Sequence, residues 1–179
     1  MKPTTFQVKI RVFVPEMMNF FKDDPRLGSE EYPYKADMFY ELLSPYAHFY
    51  GPLRNILIFE KNARYEWYIE SAEGKELNFA AINDFPEMEM EMITDKPSDE
   101  KWNKVFDKPP KMLPDGRLKL KSSAKSSNVF AIETTGDLID GGKIKYSFLF
   151  EFEDDKGNTK YAIVDPIADM YPPPPPPPE

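Results

Sequence analysis

The sequence predicts an all-β protein with minor helix, built as an antiparallel β-sandwich or a partly open barrel of about eight strands. Apolar and polar residues alternate with the period of a strand in several segments. The 14 Phe, 10 Tyr and two Trp residues favour pleated, half-buried surfaces over helices. Short breaks separate the alternating segments, and no repeat of 20 to 50 residues suggests a solenoid or a propeller.

The composition is typical of one folded domain. Apolar residues make up 41% of the 179-residue chain, and a chain of this length can bury roughly 70% of its unfolded surface without disulfides. We therefore expect residues 1–171 to form a single β-rich domain and residues 172–179 to form a polyproline tail.

The N-terminal third is predicted to contain one strand and two short helices. In FQVKIRVFV the apolar residues lie on one face of a strand, and Pro15 ends it. PEMMNFFKD (residues 15–23) is predicted to be a short helix. ADMFYELLS (residues 36–44) is predicted to be another, because its apolar residues have near-helical spacing and Pro45 follows.

The middle of the chain is predicted to form a meander of hairpins from NILIFE, RYEWYIE and ELNFAAI. NILIFE is apolar on both faces and should lie centrally. EMEMEMI (residues 87–93) is predicted to be a strand with methionines on one face and glutamates on the other. The proline-rich segment 94–115 is predicted to be a long loop, with one helical turn at SDEKWNKVF.

The last third contains the clearest strands, RLKLK, NVFAIE, KIKYSFLFEFE and TKYAIV. DDKGN supplies the final turn, in which Gly157 or Asn158 can adopt positive φ. Asp165 and Pro166 are expected to end pairing. The closing hairpin KYSFLFEFEDDKGNTKYAIVDP resembles the last hairpin of starch-binding β-sandwich modules, in Y-x-F, the glycine turn and the terminal DP. No binding residue is carried over from that resemblance.

The residue inventory excludes several classes of function. There is no cysteine, so disulfides, thiolate nucleophiles and Cys-ligated zinc are absent. His48 is the only histidine, and no catalytic or phosphate-binding motif surrounds it. The net charge of −8 opposes nucleic-acid binding, and we interpret the basic stretch RLKLKSSAK as the solvated face of a strand and its loop. The prediction is therefore no nucleic-acid partner, no cofactor and no metal.

Carboxylates leave two alternatives open. Glu87, Glu89 and Glu91 favour a solvated strand face or protection against edge pairing, although a hydrolase would need only two suitably spaced acids. GDLIDGG and DDKGN could supply calcium ligands, but both are ordinary turn sequences. We expect the protein not to be an enzyme.

Aromatic residues in residues 30–51 provide the first candidate binding surface. Planar side chains on loops can stack on sugars or anchor a protein partner, or they can cap the end of the sandwich as a satellite core. The candidate ligand-binding residues are Tyr32, Tyr34, Tyr46, Phe49 and Tyr50.

The C-terminal tail provides the second candidate binding surface. We expect the seven consecutive prolines to adopt the polyproline helix, about 22 Å long at ~3.1 Å per residue, which an aromatic-lined groove could receive. The candidate partner-binding residues are Tyr171, Pro172, Pro175 and Pro178. The predicted function is a structural or protein-interaction protein that binds a protein partner or itself, with a carbohydrate-binding module and a carboxylate-dependent hydrolase as alternatives.

The chain shows no signal peptide and no continuous apolar stretch long enough to span a membrane. We expect no membrane partner and a cytoplasmic location, with leaderless export left open.

Overall fold

The structure is a computed structural model that describes residues 2–44, 49–50, 56–75, 77–82, 85–92, 104–108, 110–114, 117–124, 126–137, 143–165 and 167–169. The predicted all-β class is confirmed, with helix α1 at Val14–Phe20. The strands are Thr4–Val12 (β1), Tyr34–Lys35 (β2), Tyr40–Leu43 (β3), Phe49–Tyr50 (β4), Ile56–Ile58 (β5), Ala63–Ser71 (β6), Asn78–Phe79 (β7), Ala81–Ile82 (β8), Phe85–Met92 (β9), Lys111–Met112 (β10), Leu118–Lys121 (β11), Val129–Glu133 (β12), Lys143–Glu153 (β13), Thr159–Val164 (β14) and Ile167–Asp169 (β15).

One layer is a four-stranded sheet in the order β12-β6-β1-β3. Its centre is a parallel pair, in which β1 and β6 align from Thr4 opposite Ala63 to Val12 opposite Ser71. β12 and β3 add to the two sides as antiparallel strands. Every second residue of β6 is buried, as the alternation in RYEWYIE predicts.

The other layer is organised around β13. Its first half pairs with β9 on one side and β15 on the other, and its second half pairs with β14 and β7. β15 continues to β5 and β4, while β9 continues to β11 and β10. β5 therefore lies between two strands, which confirms the central position predicted for NILIFE.

Aromatic rings fill the space between the two layers. Trp67 of β6 is fully buried, and its ring centroid lies 5.7 Å from those of both Tyr146 and Phe148 of β13. Phe59 approaches Trp67 from a third direction at 6.1 Å. Offset and edge-on pairs of this kind add to the hydrophobic stabilisation of the core.

The helix prediction for residues 15–23 is confirmed by α1, but the one for residues 36–44 is wrong. Residues 40–43 form β3, which pairs with β1 in the register Lys9 opposite Leu43. Only Leu42 of this strand is buried, so the spacing that suggested a helix came from side chains on both faces of a strand. Pairing with β1 overrides the local pattern.

Three further expectations are corrected. The meander is wrong, because β6 pairs with β1 and β12 and not with its sequence neighbours. β9 is not an unpaired edge, because β11 and β13 flank it. Pairing does not end at Asp165, since β15 follows directly.

Within the described residues, no helix is long and apolar enough to cross a membrane.

Candidate functional site

Two of the aromatic residues that were predicted to bind a ligand differ in their exposure. Tyr32 is 58% exposed, whereas Tyr34 is only 6% exposed. The backbone of Phe49 and Tyr50 forms β4, on the larger sheet. Tyr46 lies outside the described residues, as do His48 and the four tail residues Tyr171, Pro172, Pro175 and Pro178.

Tyr34 is part of the hydrophobic core. Its ring lies 5.8 Å from Phe21 and 6.2 Å from Phe152, measured between centroids. Burial raises the pKa of its phenol, and the nearby Asp154 carboxylate adds to the effect. The satellite-core interpretation therefore describes Tyr34, and its ring offers little surface to a ligand.

Tyr32 is presented by a loop whose backbone is fixed at both ends. Its N–H donates to Ser29 Oγ at 3.0 Å, and its carbonyl accepts the N–H of Gly28 at 2.8 Å. The Gly28 carbonyl in turn accepts the N–H of Tyr161 in β14 at 2.9 Å. Gly28 has φ +104°, and a Cβ there would lie 2.8 Å from the Tyr34 ring, so only glycine fits.

Tyr32 lines a groove with a cavity volume of about 410 Å³. The loop forms one wall, and the outward faces of β13 and β14 form the other. The groove is lined by Leu27, Glu31, Tyr32, Pro33, Lys35, Arg117, Lys145, Ser147, Ile163 and Asp165. Its volume is typical of small-molecule sites, which combine apolar walls with a few convergent polar groups.

Asp165 is a carboxyl group of this groove whose pKa is raised. Burial raises its pKa, against the opposing effect of the Lys145 ammonium, and the nearby Asp37 adds to the increase. Lys145 Nζ lies 3.7 Å from Asp165 Oδ2. Burial, together with Asp37 and Asp165, raises the pKa of the neighbouring Tyr40 to about 12. Asp165 thus offers a carboxylate acceptor, while Lys145 offers positive charge beside it.

A second concave surface lies on the outer face of the four-stranded sheet, with a cavity volume of about 740 Å³. Arg11 of β1 lies between two acids there, 3.2 Å from Glu41 and 3.5 Å from Glu70. Lys9 also contacts Glu70, at 3.5 Å. These partly exposed pairs contribute little to folding stability, but they give the surface an ordered pattern of both charges.

The β12 side of this sheet is closed. The N–H of Ala131 donates to Ser122 Oγ at 2.9 Å, and its carbonyl accepts the N–H of Ser123 at 2.8 Å. Two residues further along β12, the N–H of Glu133 donates to Asp107 Oδ1, and the Glu133 carbonyl accepts the N–H of Asp107. No backbone group of Ala131 or Glu133 is left to recruit another strand.

The β3 side differs. The N–H of Phe13 donates to the Phe39 carbonyl at 2.7 Å. In an antiparallel pair, the backbone N–H and C=O groups of alternate residues point to the partner strand, so those of Phe39, Glu41 and Leu43 point toward β1. Those of Tyr40 and Leu42 therefore point away from β1. No strand in the described part of the chain pairs with that side of β3.

The glutamates of EMEMEMI lie opposite lysines. Register places Glu87 across from Lys121, Glu89 across from Lys119, and Glu91 across from Lys145. Glu87 Oε2 contacts Lys119 Nζ diagonally at 3.0 Å. Charge pairing across strands therefore accounts for the acidic residue at position 87, and the matching spacing of the acidic and basic residues in the sequence could have indicated it.

The DDKGN turn uses its carboxylate internally. Asp154 Oδ1 accepts the N–H groups of Lys156 at 2.9 Å and Asn158 at 2.8 Å, and Gly157 has φ 78°, as predicted. Backbone hydrogen bonds hold the pKa of Asp154 below its usual value. Among the described residues no group of three or more potential ligands could hold a metal. Residues 138–142 of GDLIDGG lie outside them.

No protein-family model and no curated protein matches the chain significantly. Among solved structures, the fold is similar to the crystal structure of the inclusion body protein PixA from Burkholderia cenocepacia. The TM-score is 0.49 and the identity is 12%, over 94% of this chain and 97% of that one. A similarity this remote supports no assignment of function.

Proposed function

We propose that this protein is a non-enzymatic structural or interaction protein that self-associates through the outward side of β3. The observation that carries the proposal is the contrast between the two sides of one sheet. The β12 side is closed by Ser122, Ser123 and Asp107. The β3 side directs backbone groups of Tyr40 and Leu42 away from the sheet, where an added strand can pair with them.

A second copy of the chain is the partner that fits this edge best. Two β3 strands can pair antiparallel about a two-fold axis, because each contributes the same surface. On the outer face of the sheet near this edge, Lys9 and Arg11 of β1 pair with Glu41 of β3 and Glu70 of β6. A second copy that approaches this face therefore meets charges of both signs, although each chain has a net charge of −8.

Solution mass and amide exchange test this proposal together. The full chain should have a mass above that of the monomer in light scattering, falling on dilution. The Tyr40 and Leu42 amides should exchange slowly in the concentrated sample and faster in the dilute one. Leu43→Lys places a lysine on the outer face of the edge strand, and it should shift the protein toward the monomer.

Met112→Lys is the matched control. It introduces the same charge on an exposed position of β10, in the other layer, and the mass should not change. A monomeric full chain, or a mass unaffected by Leu43→Lys, would contradict the proposal. Deletion of residues 172–179 is the third arm, and a monomer produced by that deletion alone would assign the contact to the polyproline tail instead.

A further inference from the structure

The groove beside Tyr32 combines three features on one surface. An exposed aromatic ring stands on a fixed loop, cationic side chains line the groove, and two carboxylates lie at its walls. Tyr32 and Lys35 come from one segment, whereas Arg117, Lys145 and Asp165 come from others that the fold brings beside it. We propose that this groove is a binding site for an acidic saccharide, whose ring stacks on Tyr32 and whose carboxylate lies among Lys35, Arg117 and Lys145.

The first argument is the presentation of Tyr32. Tyr32 is 58% exposed, so most of its ring surface is open to a ligand. Its loop is held by the Gly28 and Ser29 hydrogen bonds and by the contact of Gly28 with Tyr161. Because the backbone is held and a tyrosine side chain has only two rotatable bonds, little conformational entropy is lost when a flat apolar surface, such as a sugar face, packs against the ring.

The second argument is local charge. The groove is lined by three cationic residues and by two acids, Glu31 and Asp165, in a protein whose net charge is −8. Among the lining residues, cationic side chains therefore outnumber acidic ones, whereas acids outnumber cations in the protein as a whole. Guanidinium and ammonium groups bind carboxylates with charge-assisted hydrogen bonds, which are stronger than neutral ones.

The third argument is the presence of acceptors beside these cations. Sugar hydroxyl groups need acceptors as well as donors, and both Asp165 and the Ser147 hydroxyl lie in the same groove. Asp165 has a low side-chain exposure of 19%, and Lys145 lies 3.7 Å from it. A carboxylate held in this way can accept hydroxyl protons while the ligand's own carboxylate contacts the cations.

Titration calorimetry with two matched probes tests the site. The acidic probe is a galacturonate trisaccharide, and the neutral probe is the corresponding galactose trisaccharide. The full chain should bind the acidic probe at least about tenfold more tightly, because a hydrogen bond to a charged group is worth roughly that factor or more. The preference should decrease with added salt.

Variants separate the two parts of the site. Tyr32→Ala should weaken binding of the acidic probe about tenfold, while Tyr32→Phe, which keeps the ring, should stay within about threefold of the unmodified chain. Lys145→Gln should reduce the preference for the acidic probe. Met38→Ala is the control, because Met38 is 72% exposed and does not line the groove. It should leave binding unchanged.

Each contrary result overturns the proposal. These results are equal affinity for the two trisaccharides, no binding of either, and binding that survives Tyr32→Ala. An acidic peptide such as a Glu-Pro-Glu tripeptide provides the last arm. If it binds through Tyr32 while the acidic saccharide does not, the groove is a peptide site and the assignment is wrong. The oligomeric state of β3 variants does not enter this test, so the two proposals fail independently.

Discussion

At the scale of single residues, Asp165 shows how the fold holds a charge that it only partly compensates. Its carboxyl group has a low exposed fraction, and removal from water is the main reason that its pKa is raised. Lys145 and the Ser147 hydroxyl act in the opposite direction but do not cancel that effect. Ionised Asp165 is therefore less stable in the folded protein than in the unfolded chain.

The raised pKa determines the direction in which folding stability changes with pH. A raised folded-state pKa means that the native protein binds the Asp165 proton more tightly than the unfolded chain does. The contribution of Asp165 to stability therefore falls as pH rises from its ordinary pKa of 3.8 through the raised value, and stays low above it. Asp165→Asn should raise the melting temperature at pH 7, and this advantage should vanish below about pH 3.8.

Circular dichroism melts at several pH values check this prediction. Asp155→Asn, in the exposed DDKGN turn, removes the same charge and should change the free energy of unfolding by less than about 0.5 kcal/mol. An Asp165→Asn protein that melts below the unmodified chain at pH 7 would show that the ion pair with Lys145 outweighs the burial of the carboxylate.

At the scale of elements, the edge of β12 is closed by a buried hydroxyl. Ser122 is fully buried, and its Oγ accepts the N–H groups of both Ala131 and Ala124, at 2.9 and 3.0 Å. Ser122→Ala leaves the buried Ala131 N–H without this acceptor. The free energy of unfolding should fall by about 1–3 kcal/mol, the cost of an unsatisfied buried donor.

Urea unfolding measures that change, and hydrogen exchange locates it. The Ala131 amide should exchange faster in Ser122→Ala than in the unmodified chain. Ser126→Ala is the matched control, because Ser126 is only half-buried and its Oγ contacts Asn128 Oδ1 and no edge backbone group. If the Ala131 amide stays equally protected in Ser122→Ala, then the hydroxyl is not what closes this edge.

Strands with strict alternation were predictable, and their partners were not. β1 and β6 alternate over their whole length, so burial of one face already determines their conformation. β3 is short, with Tyr40 and Leu42 on one face and Glu41 and Leu43 on the other, and its sequence pattern fits a helix equally well. Only pairing with β1 makes it a strand. Alternation also carries no information about register, so the parallel β1–β6 pair did not follow from it.

At the scale of the whole molecule, local sequence patterns likewise do not reveal which residues form the candidate sites. Tyr32 was identified from the sequence because aromatic residues cluster near it. Lys35 follows Tyr32 by three residues, but Arg117 and Lys145 lie far away in the sequence, and nothing local connects those two to Tyr32. They meet because β2, β13 and β14 are neighbours and the segment before β11 ends beside them. Composition thus predicts the type of protein, while topology determines its sites.

In this topology, some paired strands are close together in the sequence and others are far apart. The β13–β14 hairpin is closed by the short DDKGN turn, in which the Asp154 N–H donates to the Asn158 carbonyl at 2.9 Å. β1 and β6, by contrast, pair residues far apart in the chain, such as Thr4 with Ala63. Closing a long loop costs chain entropy before its contacts form, so folds of this kind are slow, typically milliseconds to seconds.

We therefore expect the hairpin to form before the β1–β6 pair, and two buried substitutions can test that order. Val164→Ala in β14 should destabilise by about 1–2 kcal/mol, from the apolar surface that it removes, and should mainly slow folding. Ile10→Val in β1 should cost about 0.5–1.5 kcal/mol and should mainly accelerate unfolding. Stopped-flow fluorescence, with buried Trp67 among the probes, measures both rates. The reverse assignment, with Ile10→Val slowing folding, would mean that the long-range parallel pair is already present in the transition state.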